Sequence, residues 1–406
     1  MTFLFNKFFF KFLKLITFIF FALISPALVL LIRIFNPLIL IRFQYVRVNR
    51  IGHLSTNIEL YLCEKDNNIN KPKQIYFDIF FYDRKICNNV LFKKWKKKVI
   101  FLPAYIIKPI YFLNNIILFQ KNKYQVKPNQ DFHYNHDIYN LLDRSKIHLT
   151  FNDMEKRQCQ KFLENCGINK NDKFVCLIVR DSAYLNSKGA QYHSHRDCDI
   201  DNFILVSEEL TKLGYFVFRM GAVVNKKLIS NNKRIFDYAT NGMRSELLDL
   251  FLCSKCDFCI STSLGLDSVI DIFRRPLIIT NFIPFGDLRY ERKNVLTIFK
   301  HHFSKNYKRN LTMYEIKQLN LGYSFKKDDF ENKNIELVEN SKNEIYKATL
   351  DLINLINNKK IDEKKNKMID QFNLKFRDLY YNKRYNTEIK TTIAGSFIMD
   401  NLNLIK

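Results

Sequence analysis

The sequence predicts an α/β fold with two Rossmann-like domains, preceded by an N-terminal membrane-anchoring helix and followed by C-terminal helices. Short apolar runs typical of buried strands alternate with helical patterns along most of the chain, as in parallel sheets covered by helices on both faces. A length of 406 residues fits two compact domains better than one. We predict an anchor over 1–42, an N-terminal domain over 43–150, a C-terminal domain over 151–330 and a helical extension over 331–406.

Residues 15–32 form an uncharged, mostly apolar run, LITFIFFALISPALVLLI, close to the shortest length that spans a bilayer. The run is preceded by Lys7, Lys11 and Lys14 and followed by Arg33, Arg42, Arg47 and Arg50. Such balanced flanking charges do not fix an orientation. The nine cysteines are scattered and odd in number, as in a reducing compartment. We therefore expect the protein at the cytoplasmic face of the inner membrane. Pro26 and Pro37 also permit a kinked or re-entrant anchor in place of a full span. A further alternative is a buried N-terminal helix.

The first predicted domain alternates strands and helices. Strands are expected at residues 43–48, 74–83 and 99–103, a turn at NRIGHLSTN, and helices at IELYLCEK and at the basic NNVLFKKWKKK. The following apolar segment, AYIIKPIYFLNNIILF, is interrupted by Lys108 and Pro109. We expect it to be an amphipathic or membrane-touching helix rather than a membrane span.

A polar segment, roughly residues 120–160, separates this domain from a second β/α run. Strands are expected in KFVCLIVRD, YFVFRMG, RIFDYA, DFCIST and PLIITN, the last being the final strand. Gly214 stands where a helix C-cap belongs, and Ser245 is a candidate N-cap. Beyond residue 330, Ser341 and Glu344 form a capping box at the start of an amphipathic helix.

The formal net charge of +25 predicts attraction to anionic partners such as lipid headgroups or phosphorylated substrates. No helix-turn-helix, zinc-finger or RNA-binding signature accompanies the basic residues, so we expect no nucleic-acid partner. Cys253, Cys256 and Cys259 have metal-like spacing, but the sequence places no fourth ligand nearby. We expect these three to be ordinary thiols, and we expect no metal and no cofactor.

Polar residues follow the predicted strands of the second domain. Arg180 and Asp181 end one strand and Arg219 ends the next. The turn STSLG offers hydroxyls and backbone N–H groups before a helix, which suits a diphosphate. Because parallel strands end at one edge of a sheet, we expect these groups to converge there. The predicted donor-binding residues are Arg180, Arg219, Asp237, Ser261, Thr262, Ser263 and Gly265.

Such an edge suits transfer of a sugar from a nucleotide-sugar. The departing nucleoside diphosphate needs positive charge, and the acceptor hydroxyl needs a base. The polar segment HSHRDCDIDNF supplies the candidates. We predict His195 or Asp181 as the base, Arg196 as a second donor to the leaving group, and His193 as a further member of the catalytic loop. Asp199 or Asp201 is expected to cap the following helix.

Several motifs together resemble a group of bacterial proteins described as glycosyltransferases. The resemblance rests on RIGHL at 50–54, VRDSAYL at 179–185, HSHRDCDI at 193–200, RMG at 219–221, DYA at 237–239, TSLGL at 262–266, PLIITN at 276–281, ENS at 339–341 and IAGSF at 393–397. The layout is also similar to heptosyltransferases and protein O-fucosyltransferases. The resemblance implies a metal-independent, inverting transferase of the GT-B type with a nucleotide-sugar donor, acting in envelope or surface polysaccharide synthesis.

The first half is expected to present a glycan or lipid-linked acceptor, with Arg50, Gly52 and His53 at its ligand edge. One departure concerns Leu264, which interrupts the serine–glycine pair usual in the family. The alternative function is a non-catalytic protein that binds glycan or lipid phosphate at the membrane surface. It would bind ligand without turnover.

Overall fold

The computed structural model describes residues 2–117, 121–127, 136–183, 191–288, 292–380 and 393–406. Contacts divide the chain into two compact units. Unit 1 comprises residues 1–135 and 148–150, and unit 2 comprises residues 136–147 and 151–406.

Unit 1 is built on a parallel sheet of three strands in the order β1-β2-β3. Its elements are α1 (Thr2–Ile34), β1 (Ile39–Tyr45), α2 (Ile51–Asp66), β2 (Ile75–Tyr82), α3 (Asn89–Lys96), β3 (Ile100–Pro103) and α4 (Ala104–Ile116). Side chains alternate between the two faces of a strand. Phe43 and Phe81 therefore meet α1 and α4 on one face, while Asp78 meets Tyr61 of α2 on the other.

Helix α1 joins the core of unit 1 through its second half. Val29 is buried in a cluster with residues of α4 and the sheet, and Phe21 and Ile32 pack against that cluster. The apolar part of α1, Lys11–Ile34, is long and apolar enough to cross a membrane, and only 11% of its most apolar window is buried. The segment predicted as an anchor therefore also supplies core packing and the first residues of β1.

The turn predicted at NRIGHLSTN is wrong, because α2 already begins at Ile51. Leu54 and Ile58, one turn apart, are fully buried, and this helical spacing of apolar residues outweighs the single Gly52. Trp95 of α3 is also fully buried, so the basic KKWKKK segment is amphipathic rather than solvated on all sides.

Unit 2 contains a parallel sheet of six strands in the order β6-β5-β4-β7-β8-β9. Its strands are β4 (Lys173–Ile178), β5 (Tyr215–Met220), β6 (Ile235–Phe236), β7 (Phe258–Ser261), β8 (Leu277–Phe282) and β9 (Val295–Phe299). Counted from β4, this is the 3-2-1-4-5-6 order of a Rossmann sheet. The predicted α/β class with parallel, Rossmann-like sheets is confirmed. The prediction that PLIITN is the final strand is wrong, since β9 follows it at the edge of the sheet.

Four helices connect the strands of unit 2, and local sequence signals mark the ends of three of them. They are α5 (Asp153–Asn165), α6 (Ile204–Lys212), α7 (Glu246–Lys255) and α8 (Asp267–Ile272). Ser245 caps α7 as predicted, and Gly214, directly after the C-cap of α6, has φ +90°. Helix α5 begins inside the segment predicted to be polar and separating, where Asn152 and Glu155 form a capping box, and it continues beyond that segment to Asn165.

The chain beyond the large sheet adds a small antiparallel sheet and several helices. These elements are β10 (His301–Ser304), β11 (Arg309–Asn310), α9 (Met313–Gln318), α10 (Lys327–Glu331), β12 (Ile335–Val338), α11 (Lys342–Ile356), α12 (Glu363–Tyr380) and α13 (Gly395–Asp400). The predicted capping box of Ser341 and Glu344 is present. The predicted helical extension thus begins with a strand, β12, that pairs with β10.

Candidate functional site in unit 2

The candidate site lies where β4 and β7 end side by side. Ile178 and Ser261 are register partners in these two strands, and the strand order reverses between them. Open α/β sheets bind ligands at such a reversal, outside the carboxyl ends of the strands. Arg180 and Thr262 emerge here, and the backbone N–H of Arg180 donates to Oγ1 of Thr262 at 2.9 Å.

The Arg180 side chain is 9% exposed. Its Nε donates to Oδ1 of Asp197 at 3.1 Å, and its Nη2 is buried with no hydrogen-bond partner among the residues that the structure describes. A buried donor without an acceptor costs about 1–3 kcal/mol. Arg180 is therefore a fixed, incompletely satisfied cation, which a phosphate oxygen could complete.

A second buried cation, Lys300, was not predicted from the sequence. It follows the last strand of the sheet, is 4% exposed, and donates from Nζ to the backbone oxygen of Asp197 at 2.8 Å. Burial raises the pKa of the Asp197 carboxyl above its ordinary value, and the hydrogen bond from Arg180 offsets this only in part. The one sequence signal for Lys300 is its position directly after a strand. Lysines are so frequent in this chain that this position does not distinguish it.

The STSLG turn is held mainly by hydrogen bonds to Asp267, two residues after the turn. Ser261 donates its hydroxyl hydrogen to Oδ2 of Asp267 at 3.1 Å, and the backbone N–H of Leu264 donates to the same atom at 2.9 Å. Asp267 is fully buried, and the sequence did not predict it as part of the site. The hydroxyls of Ser261 and Thr262 are thus engaged within the protein, and their observed contacts shape the turn.

Ser263 and Gly265 occupy the outer part of the turn. Ser263 has φ +60°, and Nη2 of Arg196 donates to its backbone oxygen at 2.8 Å. Gly265 is exposed. Arg196 therefore contacts the turn after β7, and its role as a second donor to the leaving group stays a prediction.

Arg219 lies deeper than expected for a ligand-binding residue. It is fully buried, its Nη1 lies 3.1 Å from Oδ1 of Asp237, and its Nη2 lies 3.9 Å from Oδ2 of Asp181. Nη2 also donates to the backbone oxygen of Lys226. In this setting Arg219 holds two acidic side chains in place, and Asp237 is its partner.

The two predicted bases differ in accessibility. Asp181 keeps 16% side-chain exposure, although it accepts from the backbone N–H groups of Ala183 and Asn225. Both ring nitrogens of His195 are buried, and the ring packs on Phe330 at a centroid distance of 5.6 Å.

The rest of the predicted catalytic loop lies around these residues. His193 belongs to the 3-10 helix Gln191–Arg196, but its side chain lies outside the described part. Asp199 caps the next 3-10 helix, Ile200–Phe203, as expected. Lys226 bridges Asp199 and Asp201 at 2.7 and 2.6 Å, and its hydrogen bond lowers the pKa of Asp199. The contacts of Asp199 and Asp201 thus serve local structure.

The motifs PLIITN and ENS, for which the sequence predicted no role, are joined by hydrogen bonds. Asn281, at the end of β8, and Asn340, before α11, exchange hydrogen bonds of 2.6 and 2.7 Å between backbone N–H groups and side-chain oxygens. Both residues are buried, and Asn281 has φ +53°. The pair fixes the start of α11 to the ligand edge of the sheet.

The predicted acceptor-side residues belong to unit 1. Arg50 is the exposed N-cap residue of α2, and Gly52 and His53 lie in its first turn, partly exposed. They follow the carboxyl end of β1, which is the ligand edge of that sheet. Gly52 is helical here, so it does not form the predicted turn.

No protein-family model matches the chain, and no curated protein matches it. Among solved structures, it is similar to the ADP-heptose LPS heptosyltransferase II of E. coli, with 10% identity, a TM-score of 0.38 and coverage of 64% of this chain and 90% of that one. A glycosyl transferase family 9 protein from Veillonella parvula shows 14% identity, a TM-score of 0.43 and coverage of 78% and 97%. A Listeria monocytogenes protein named as a UDP-N-acetylglucosamine 2-epimerase shows 10% identity, a TM-score of 0.32 and coverage of 89% and 94%. The case for a function therefore rests on the chain's own residues.

Proposed function

We propose that the protein is a glycosyltransferase that moves a sugar from a nucleotide-sugar to a glycan or lipid-linked acceptor at the cytoplasmic face of the inner membrane. The observation that carries the proposal is the buried Arg180 at the reversal of strand order, whose Nη2 has no hydrogen-bond partner among the described residues. Arg180 would bind the diphosphate, and Arg196 and Lys300 would add positive charge. The motif resemblance, which extends from residue 50 to residue 397, supports the same reaction class.

Three cations at one sheet edge can stabilise a departing diphosphate by fixed charge, which is the demand that metal-independent transferases meet. Removal of the acceptor proton needs an accessible base. We assign this role to Asp181, because its carboxylate is partly exposed whereas both ring nitrogens of His195 are buried. A single displacement assisted by this base would invert the sugar linkage.

The test is to screen the full chain, in detergent, by thermal shift against UDP-, GDP-, ADP-, dTDP- and CMP-sugars, and then to measure nucleotide release with any that stabilise it. We expect one nucleotide class to raise the unfolding temperature. With Asp181→Asn, we expect that shift to remain while turnover falls roughly 100-fold or more, the usual size of a lost general base. Stabilisation by no nucleotide-sugar in a folded sample would refute the proposed donor site.

A non-catalytic binder makes a different prediction in the same experiment. It would show the thermal shift without nucleotide release in the presence of any acceptor lipid extract. Release that is lost with Asp181→Asn therefore separates the two functions.

Membrane attachment is proposed to depend on the first half of α1. Removing residues 2–20 deletes apolar side chains that are mostly exposed, such as Phe18 and Phe20, while Phe21 and Val29 still pack in unit 1. We expect this variant to stay folded but to move largely from the membrane to the soluble fraction, as measured by vesicle flotation.

A chain that starts at Phe43 serves as the comparison. It lacks Arg42, whose guanidinium makes two buried 2.7 Å hydrogen bonds to Asp78, so we expect it to misfold rather than to become soluble. Unchanged flotation of the variant without residues 2–20 would refute the proposed anchor.

A further inference from the structure

A cluster in unit 1 combines the side chains of a transition-metal site. Glu59 and Cys63 are one turn apart on α2 and are fully buried, and residues this far apart on a helix lie on the same face. His148 comes from the short segment 148–150 that packs with unit 1 and is 7% exposed. One ligand atom from each of the three lies within 4.8 Å of the others.

The distances suit a tetrahedral ion. Nδ1 of His148 lies 3.3 Å from Oε1 of Glu59, and Sγ of Cys63 lies 3.9 Å from the same oxygen. Metal–ligand bonds of about 2.0–2.3 Å in a tetrahedron place ligand atoms about 3.3–3.8 Å apart. Small shifts of these side chains would therefore close the site around an ion.

A fourth residue gives independent support. Nε2 of His148 lies 3.0 Å from Oδ2 of Asp66, so a carboxylate holds the ring nitrogen that faces away from the cluster. Metal-binding histidines are characteristically held in this way, because the second hydrogen bond fixes the tautomer and orients the ring. The Asp66 side chain is 38% exposed, so the outer partner of His148 lies nearer the surface than the three buried side chains.

We propose that Glu59, Cys63 and His148 bind a divalent ion of the zinc class, with Asp66 orienting His148. A carboxylate, a thiolate and an imidazole form a mixed set of O, S and N ligands that Zn²⁺ accepts readily and that Mg²⁺ and Ca²⁺ do not. Three protein ligands leave one coordination position for water. The ion would fasten segment 148–150 to α2.

The alternative for the same geometry is a metal-free hydrogen-bond cluster, in which His148 bridges the two carboxylates. The two differ in the role of Cys63. In the metal site the thiolate is a ligand, and binding releases its proton. In the hydrogen-bond cluster the protonated thiol of Cys63 donates to Oε1 of Glu59 at 3.9 Å, and Co²⁺ would give no thiolate absorption.

The experiment uses the full chain in detergent, purified without a histidine tag and stripped with a chelator. It is titrated with Co²⁺, whose thiolate complexes absorb in the near ultraviolet, and with Zn²⁺ in competition. We expect one equivalent to bind to the wild type, and we expect the thiolate absorption to disappear in Cys63→Ala and in His148→Ala. Asp66→Asn should weaken binding roughly 10- to 100-fold.

Cys159→Ala is the matched control, because Cys159 is also fully buried but lies on α5 in unit 2. It should bind as the wild type does. Circular dichroism confirms that each variant is folded, and Cys63→Ser provides a second substitution of similar size. Absence of stoichiometric binding by the folded wild type, or thiolate absorption that persists in Cys63→Ala and Cys63→Ser, would overturn the proposal.

Discussion

Replacing Arg180 by alanine is expected to remove the thermal shift given by the nucleotide-sugar and to lower turnover roughly 100- to 1,000-fold, the effect of losing one aimed donor to a developing charge. The reason is the position of the guanidinium at the reversal of strand order, with Nε held by Asp197 and Nη2 left for a ligand. Arg180→Lys should show an intermediate loss, since lysine keeps the charge but not the planar fork.

Arg234→Ala is the matched control for this prediction. Arg234 is exposed and immediately precedes β6, so it stands at the opposite edge of the same sheet. Its loss removes one positive charge from unit 2 without touching the candidate site, and binding should be unchanged. An Arg180→Ala protein that is folded and shows the full thermal shift would exclude this residue from the donor site.

Replacing Arg219 by alanine is expected to lower the free energy of unfolding by about 3–5 kcal/mol, as when one partner of a buried ion pair is removed. Arg219 is fully buried and lies 3.1 Å from Asp237 and 3.9 Å from Asp181. Without the Arg219 guanidinium, the carboxylates of Asp181 and Asp237 lose the cation that they share. Urea denaturation of the two proteins in the same detergent measures the difference.

Arg309→Ala provides the comparison for stability. The Arg309 side chain is 44% exposed and pairs with Glu315 at 2.6 Å, and exposed pairs contribute about 0–1 kcal/mol. If Arg219→Ala were as stable as Arg309→Ala but lost nucleotide binding, Arg219 would be a donor-binding residue after all. The structure instead favours a role in positioning Asp181 and Asp237.

The strand and helix pattern of unit 2 could be predicted because its signals are local. Apolar runs such as that in β4 are buried on both faces, and Ser245 and Ser341 cap helices through hydrogen bonds to residues three positions away. The convergence of Arg180 with the turn after β7 could also be predicted, because parallel strands must end at a common edge.

Other features were missed because they depend on which side chains the folded protein buries and pairs. The RIGHL segment became the start of α2 through burial of Leu54 and Ile58 in unit 1. The depth of Arg219 depends on Asp237 and on the Lys226 backbone. The Lys300 ammonium is held by a hydrogen bond to the backbone oxygen of Asp197, a residue more than a hundred positions earlier in the chain.

The sequence by itself determined the α/β class, the apolar N-terminal helix and the set of charged residues at the strand ends, since periodicity and strand direction follow from neighbouring residues. Only the tertiary structure decided which of those charges are satisfied. Arg219 is fully buried between Asp237 and Asp181, whereas Arg180 lies at the reversal of strand order with its Nε held by Asp197. Among the described residues, each of the two guanidinium groups keeps one buried nitrogen without a hydrogen-bond partner. Burial and pairing depend on residues distant in sequence, and they decide whether a charge stabilises the fold or remains for a ligand.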